Sequence, residues 1–458
     1  MPKALVVIRR PTALHLKACL PLVVGVEGGD VVAGKPGVRL RRLDPFDEKK
    51  TEADAAIVVA SGAVWLSRGA AYAHPMRVVF LLGSGASLHA GMPSVGEITG
   101  RVLSGERVLE GGAGFRVVDQ LPANHAIWRR KVDAAVAFAA ELKQLCDDYW
   151  ASQDKGRQTN YEDIAYVARQ VDDGLMSEYE NPALLPLNKK LGEEVGREPR
   201  DLMELAAMTA DYIDDVVCGM LGGPIGPVDH LAAIADACSD GWVEDLTVAT
   251  LNHDLVLERM FSETNTHYSD GFEREFGTLR IWSDTFDSTR KLLKLHGSIN
   301  WWRYRFALDG HSGQLTAKST NRDPEHPRGP VGEDLGYPLT GRPLVLTGTF
   351  NKILAYPTGI YADQHFRFHE ALNAAEALIV IGYGFRDKAI NARIVAWAER
   401  PGARQMLVVH RDPAGFAVSA RGAIRNLWTS WHERGVLAFV PEHLSPATTW
   451  ESIAAKLR

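Results

Sequence analysis

Apolar residues along this chain follow distinct regimes. The run Val78-Val79-Phe80-Leu81-Leu82 is apolar without alternation, the pattern of a strand buried on both faces. The same pattern returns after Gly241 as short β-branched runs at 246–250, 291–295, 377–381, 405–409 and 436–440, separated by stretches of helical character. Strands alternating with helices predict an α/β fold, a Rossmann-like and mainly parallel sheet covered on both faces. From about Ala126 to Ser239, by contrast, Val132, Val136 and Leu142 keep a 3.6-residue period, as do apolar positions between Leu202 and Met220. This predicts a helical insertion over 126–240, dividing an α/β domain into a first part at 76–125 and a remainder at 241–458. Residues 1–75 are rich in Val, Ala, Gly and Arg and poorly periodic. They read as an N-terminal extension or a misassigned start, with a genuine extra domain as the competing reading. The segment 306–343, dense in Gly, Pro, Asp and Arg, is expected to be loop-rich, and a lid, a partner-binding loop and disorder are all open.

Composition narrows the function classes. A chain of 458 residues that is 46% apolar can bury a sizeable core, and its length suits two or three structural units. Lys plus Arg number 51 against 57 for Asp plus Glu, a net charge of −6, so no global basic field recruits nucleic acid. Cys19, Cys146, Cys218 and Cys238 are widely spaced and form no Cys-x-x-Cys pair, which argues against a zinc ribbon or a disulfide framework and fits a reducing cytoplasm. The apolar stretch from Ala18 to Val26 is interrupted by Pro21 and lacks a cleavage site, and no segment reaches the ~20 apolar residues of a bilayer span. The pairs Asp147-Asp148, Asp172-Asp173 and Asp214-Asp215 have no evident basic or metal partner and are expected on solvated faces.

Candidate chemistry begins where the first strand ends. Gly83-Ser84-Gly85, followed by Ala86-Ser87 and Gly91-Met92-Pro93, reads as a nucleotide-binding turn: glycines let the backbone approach a diphosphate, and amides at the next helix start face the anion. Leu88 stands where the usual dinucleotide fingerprint has its third glycine. Three later segments follow strand-like runs: Thr250-Leu251-Asn252-His253-Asp254, Leu295-His296-Gly297-Ser298, and Gly382-Tyr383-Gly384-Phe385. Taken alone, the Asn and Asp would be turn formers, the His a core or rim residue, and Gly85 and Gly382 packing glycines. The pair Trp301-Trp302 with Arg303 and Arg305 fits a strand packing one face on the core better than a single-strand nucleic-acid binder. His365 and His369 have the spacing of helical metal ligands, but Phe366 stands where a metalloprotease motif needs glutamate, and no metal is expected.

In order and spacing these segments resemble the sirtuin (Sir2) superfamily over roughly residues 76 to 413. The resemblance implies NAD as substrate. Gly83, Ser84, Gly85, Ala86 and Ser87 would line the diphosphate, Pro93 would belong to the same cofactor site, and Gly382, Tyr383 and Gly384 would approach the adenosine. Asp254 would help hold the nicotinamide and ribose end. Asn252 would contact ribose and position water, an amide suiting both by donating and accepting. His296 would act as general base, since an imidazole titrates near working pH. Protein-deacylating sirtuins add a four-cysteine zinc module and often an Asp-Phe-Arg after the glycine turn. Here no cysteine pairs exist and Ser94-Val95-Gly96 takes the latter positions. Water becomes the default acceptor, so the chain resembles the Sir2-like NAD hydrolases of prokaryotic antiviral defence. That resemblance implies gated activity, homo-oligomers and a sensor or ATPase partner encoded nearby. A deacylase or ADP-ribosyltransferase, a non-catalytic NAD- or ADP-ribose-binding module, and a cyclase are the competing readings.

Overall fold

The computed structural model describes residues 23–27, 30–33, 75–112, 114–153, 157–176, 181–196, 198–308, 311–319, 327–349 and 352–457. The chain forms two units, Met1–Tyr72 and Ala73–Arg458. Within the first, Val23–Glu27 pairs antiparallel with Asp30–Ala33. The reading of 1–75 as an extension otherwise lies outside the described residues.

The second unit is built on six parallel strands: β1 (Met76–Leu82), β2 (Val243–Thr250), β3 (Arg290–Lys294), β4 (Ala377–Ile381), β5 (Gln405–Val409) and β6 (Leu437–Val440). Their order is β6-β5-β4-β1-β2-β3, that of a doubly wound nucleotide-binding sheet. All five residues of β4 and of β5 are buried, as is β1 apart from Arg77. Helices cover both faces, so the runs are apolar throughout instead of alternating. Register puts the end of β1, Leu82, level with Ile381 of β4 and Thr250 of β2. The chain winds outward from β1 through β2 and β3, then returns to the other side of β1 at β4. A crevice must open at that switch point.

Between β1 and β2 the described residues form six α-helices: α1 (Val95–Ser104), α2 (Arg130–Ser152), α3 (Tyr161–Met176), α4 (Leu184–Val195), α5 (Pro199–Leu221) and α6 (Ala232–Ser239). A capping box starts α1: Ser94 Oγ accepts from Glu97 N while Glu97 Oε2 accepts from Ser94 N. Leu202, Leu205, Ala206, Ile213, Val216 and Val217 of α5 face Val132, Phe138 and Leu142 of α2 and Ile164, Ala168 and Val171 of α3 in a core of their own. Each such Leu, Ile or Phe contributes roughly 1.5–3 kcal/mol by leaving water.

Three sequence expectations need correction. Asp214 and Asp215 are not on a solvated face. Asp214 is buried against Arg169 and Thr347, and Asp215 pairs with Arg342 at 2.8 Å. Trp301 and Trp302 are both buried, because successive strand residues point to opposite faces and each face here is covered by a separate apolar cluster. The segment 306–343 opens in a hairpin: Trp301–Leu308 pairs antiparallel with His311–Lys318, in a four-stranded sheet with Leu279–Ile281 and Arg274–Phe276. Its Gly- and Arg-rich composition masked the period of two.

The turns after β1 and β4 touch so closely that no side chain fits between them. A Cβ on Gly382, whose φ is +64°, would stand 2.4 Å from Ala86 N, whereas one on Gly91, at φ +79°, would meet nothing within 4 Å. Gly91→Ala should therefore cost only the ~1–2 kcal/mol of left-handed strain, and Gly382→Ala clearly more, read from urea midpoints. Equal losses would show that the turns can separate.

Candidate functional site

The carboxyl ends of these strands open onto a cleft of about 630 Å³. Gly83, Ser84, Gly85, Ser87 and Pro93 line it, and Ala86 lies buried beneath. The turn is sewn to its neighbour, Gly83 N donating to Ile381 O at 3.0 Å and Gly85 N to Gly382 O at 3.2 Å. Ala86 N and Ser87 N donate to Gly83 O and Ser84 O. Amides expected to face an anion are thus largely engaged within the protein in this conformation.

Asn252 follows β2 and reaches back to that turn. Its Nδ2 donates to Gly83 O at 3.0 Å and to Ser87 Oγ at 2.9 Å. Gly83 O can only accept, so the amide orientation is fixed and Oδ1 remains to accept from a water or hydroxyl in the cleft. Asp254 lines the cleft too, but its Oδ1 accepts from Val256 N at 3.1 Å, a turn bond at the start of helix Val256–Glu263. Its carbonyl accepts from Lys294 Nζ, which also pairs with Glu258 at 2.8 Å.

His296, just past β3, lines the same cleft and is buried. Its Nε2 lies 2.8 Å from the Tyr356 hydroxyl and 3.3 Å from Asp387 Oδ2. Burial holds the imidazole below its ordinary pKa, the Lys352 charge adds to this, and Asp387 opposes it. Burial likewise pushes His253 well down, and His365 to about 3, with the other histidines and nearby cations contributing. Lys352 itself is buried and ion-paired at 2.8 Å with Glu162 of α3, so the helical insertion forms the cleft's upper wall with Arg157, Asn160, Tyr161 and Glu162.

On the β4 side, Gly382 and Gly384 line the cleft while the Tyr383 ring turns into the core, its hydroxyl donating to Asn391 Oδ1 at 2.8 Å. Arg386, Arg421 and the stacked pair His410 and Phe416, 4.3 Å between centroids, complete that end. The cleft thus gathers all the proposed site residues except buried Ala86. Tyr356, Lys352, Glu162 and Asp387 escaped the sequence reading. Only Asp387 carried a signal, an Asp directly before a helix. His365 bonds Leu295 O at 3.1 Å and His369 bonds Asn373 at 2.9 Å. Among the described residues no group of three or more His, Cys, Asp or Glu could hold a metal ion, and no helix is long and apolar enough to cross a membrane.

The site is thus a glycine crevice at the switch point of a doubly wound sheet, with Asn252 and His296 lining the same cleft. Residues 246–434 match the family model of the SIR2-like domain. No curated protein matches the chain. Among solved structures it is similar to a Sir2 homolog–NAD complex, with 13% identity over 83% of this chain and 88% of that one at a TM-score of 0.35. A structure described as the basis for the mechanism and regulation of Sir2 enzymes gives 11% identity over 84% and 92%, at 0.31. A Sir2 bound to an inhibitor, 2′-O-acetyl-ADP-ribose and a deacetylated peptide gives 12% over 79% and 94%, at 0.30. The matched SIR2-like segment contains Asn252, Asp254, His296 and the Gly382 turn, and begins beyond the helical insertion.

After burial, Lys352 is the largest influence on His296. In Lys352→Met the titration midpoint of His296, followed by imidazole NMR, should rise, both because a cation is lost and because Glu162 is freed. An unchanged or lower midpoint would mean the Lys352 charge does not reach the ring.

Proposed function

We propose that this chain is an NAD hydrolase, cleaving the nicotinamide–ribose bond to release nicotinamide and ADP-ribose. The observation that carries this reading is that Asn252 and His296, from different strand ends, share one cleft with the glycine turns, as NAD cleavage requires. The pyridinium is already a good leaving group, so the protein's work is positioning and charge stabilisation. Asn252 Oδ1 accepts from the attacking water, its Nδ2 being held by Gly83 and Ser87. His296, neutral through burial, takes a proton from a ribose hydroxyl or the water. Asp254 keeps its other carboxylate oxygen for the nicotinamide and ribose end. Ser84, Ser87 and Pro93 flank the diphosphate, and Gly382, Tyr383 and Gly384 the adenosine, with the His410–Phe416 pair offering a stacking surface for the base.

Destroying cellular NAD is lethal unless controlled, and the reading therefore includes a gate. We place the protein in the cytoplasm, in abortive-infection defence against phage, working as a homo-oligomer or beside a sensor or ATPase partner. The Glu162–Lys352 pair, which joins the helical insertion to the wall beside His296, supports gating through that insertion.

The test is NAD loss in cells expressing the chain, with and without its genomic neighbours and under phage challenge, with products identified by mass. Free ADP-ribose should accumulate, and Asn252→Ala and His296→Ala should each lower the rate by at least ~10²-fold. A cyclised product would make it a cyclase, and transfer of acyl or ADP-ribosyl groups to protein a deacylase or transferase. Intact NAD in every combination would sink the hydrolase in favour of a binding module.

A further inference from the structure

Around His296 the available donors and acceptors permit one proton arrangement. Asp387 is the fixed point. It caps helix Lys388–Ala398, its Oδ1 accepting from Ala389 N at 2.9 Å and Ile390 N at 3.0 Å. These amides, the helix N-terminus and the contacts with His296 and Tyr356 keep the carboxylate ionised in spite of burial, its pKa held well below the ordinary range. Tyr356 cannot share a negative charge there, since burial and the adjoining Asp387 carboxylate drive its pKa far up. The tyrosine proton must then go to Asp387 Oδ2, which its hydroxyl contacts directly. Having used its only proton, the Tyr356 oxygen accepts from His296 Nε2 at 2.8 Å. Neutral His296 consequently carries its proton on Nε2 and its lone pair on Nδ1.

We propose that Asp387 and Tyr356 are a positioning pair for His296, fixing the Nε2–H tautomer so that Nδ1 is the proton acceptor. This rests on the hydrolase reading above. In the step, the substrate or water O–H breaks, its electron pair stays on oxygen, and the proton bonds to Nδ1. The imidazolium so formed is matched by Asp387, 3.3 Å from Nε2, and returns its proton to solvent. The other groups facing this ring are His253, with centroids 6.2 Å apart, the Lys352–Glu162 pair, and His365, whose ring lies tilted against Tyr356 with centroids 3.9 Å apart. Lys294 acts on His253 and Arg393 on His365. Asp387 is thus the one anion in direct contact with the His296 ring among these groups.

The test begins with the free protein carrying ring-15N histidine. His296 should show a protonated Nε2 and an unprotonated Nδ1 at neutral pH. A protonated Nδ1, or a charged ring, would overturn the proposal whether or not NAD is cleaved, so its failure is separable from failure of the hydrolase reading. Asn caps a helix about as well as Asp, so Asp387→Asn should fold. Its amide can donate toward the ring and disfavours Nε2–H, so kcat should fall on the order of 10²–10⁴-fold with KM for NAD little changed. The acid limb of the pH–rate profile should move to lower pH, because the anion that raises the His296 pKa is gone. Tyr356→Phe leaves Asp387 in place and should keep the tautomer with a smaller loss. Wild-type kcat and an unmoved pH profile in Asp387→Asn would overturn the assignment.

Discussion

Everything at this site depends on two backbones touching. The turns that end β1 and β4 meet where the winding of the sheet reverses, and a Cβ at Gly83 or Gly85 would stand 2.6 or 2.8 Å from the Gly382 backbone. Contact this close fixes how far apart the strand ends can be, and so the width of the crevice. It also places Gly83 O where the Asn252 amide can bond it across β1 and β2. The amide thereby inherits its position from the main chain of a neighbouring strand and stays fixed without a ligand to hold it. In the proposed hydrolase, preorganisation of this kind would avoid ordering Asn252 at the moment of reaction.

Burial governs the surroundings of His296. A histidine that accepts a proton must be neutral beforehand, and removing the His296 ring from water, beside the Lys352 charge, favours the neutral form. Such an environment alone would make the ring a poor base, because the imidazolium it forms would be stranded in low dielectric. Asp387 resolves that conflict. Its charge is tolerated because two helix amides donate to it as a cap, independent of the histidine. A carboxylate stabilised from behind can remain ionised and still stabilise a cation in front.

Legibility in the sequence followed the range of the forces. The strand runs 377–381 and 405–409 coincide with β4 and β5, since burial on both faces writes itself into consecutive residues. The glycine turns were readable for a similar reason, their neighbours being fixed by strand ends. Tyr356 was not, because its partners lie 60 residues before it and 31 after it. Asp214 and Asp215 looked solvated because nothing nearby in sequence neutralises Asp215, whose partner Arg342 is 127 residues away. Local polarity predicts exposure only when no distant cation is folded against it. The hairpin from Trp301 was hidden by Gly- and Arg-rich composition although its pairing is continuous.

The helical insertion is bound to the His296 side of the cleft by the segment that follows this hairpin. On one edge Arg342 pairs with Asp211 at 3.1 Å and Asp215 at 2.8 Å, Thr347 bonds Asp214, and Lys352 pairs with Glu162. On the other, Leu346 N donates to His296 O at 2.9 Å and Ser298 N to Leu344 O at 3.0 Å. Burial has pushed the Asp215 carboxyl up to about 6 even with Arg342 beside it. Separating such a pair leaves an uncompensated buried charge, at about 3–5 kcal/mol. Displacing α3 or α5 therefore either breaks one of these pairs or carries residues 342–349 and Lys352 along. Because Leu346 is bonded to the His296 backbone and Lys352 acts on its ring, the second course shifts both the position and the protonation of the histidine. Helices with a core of their own are in this way mechanically and electrostatically continuous with the cleft whose wall they help to form.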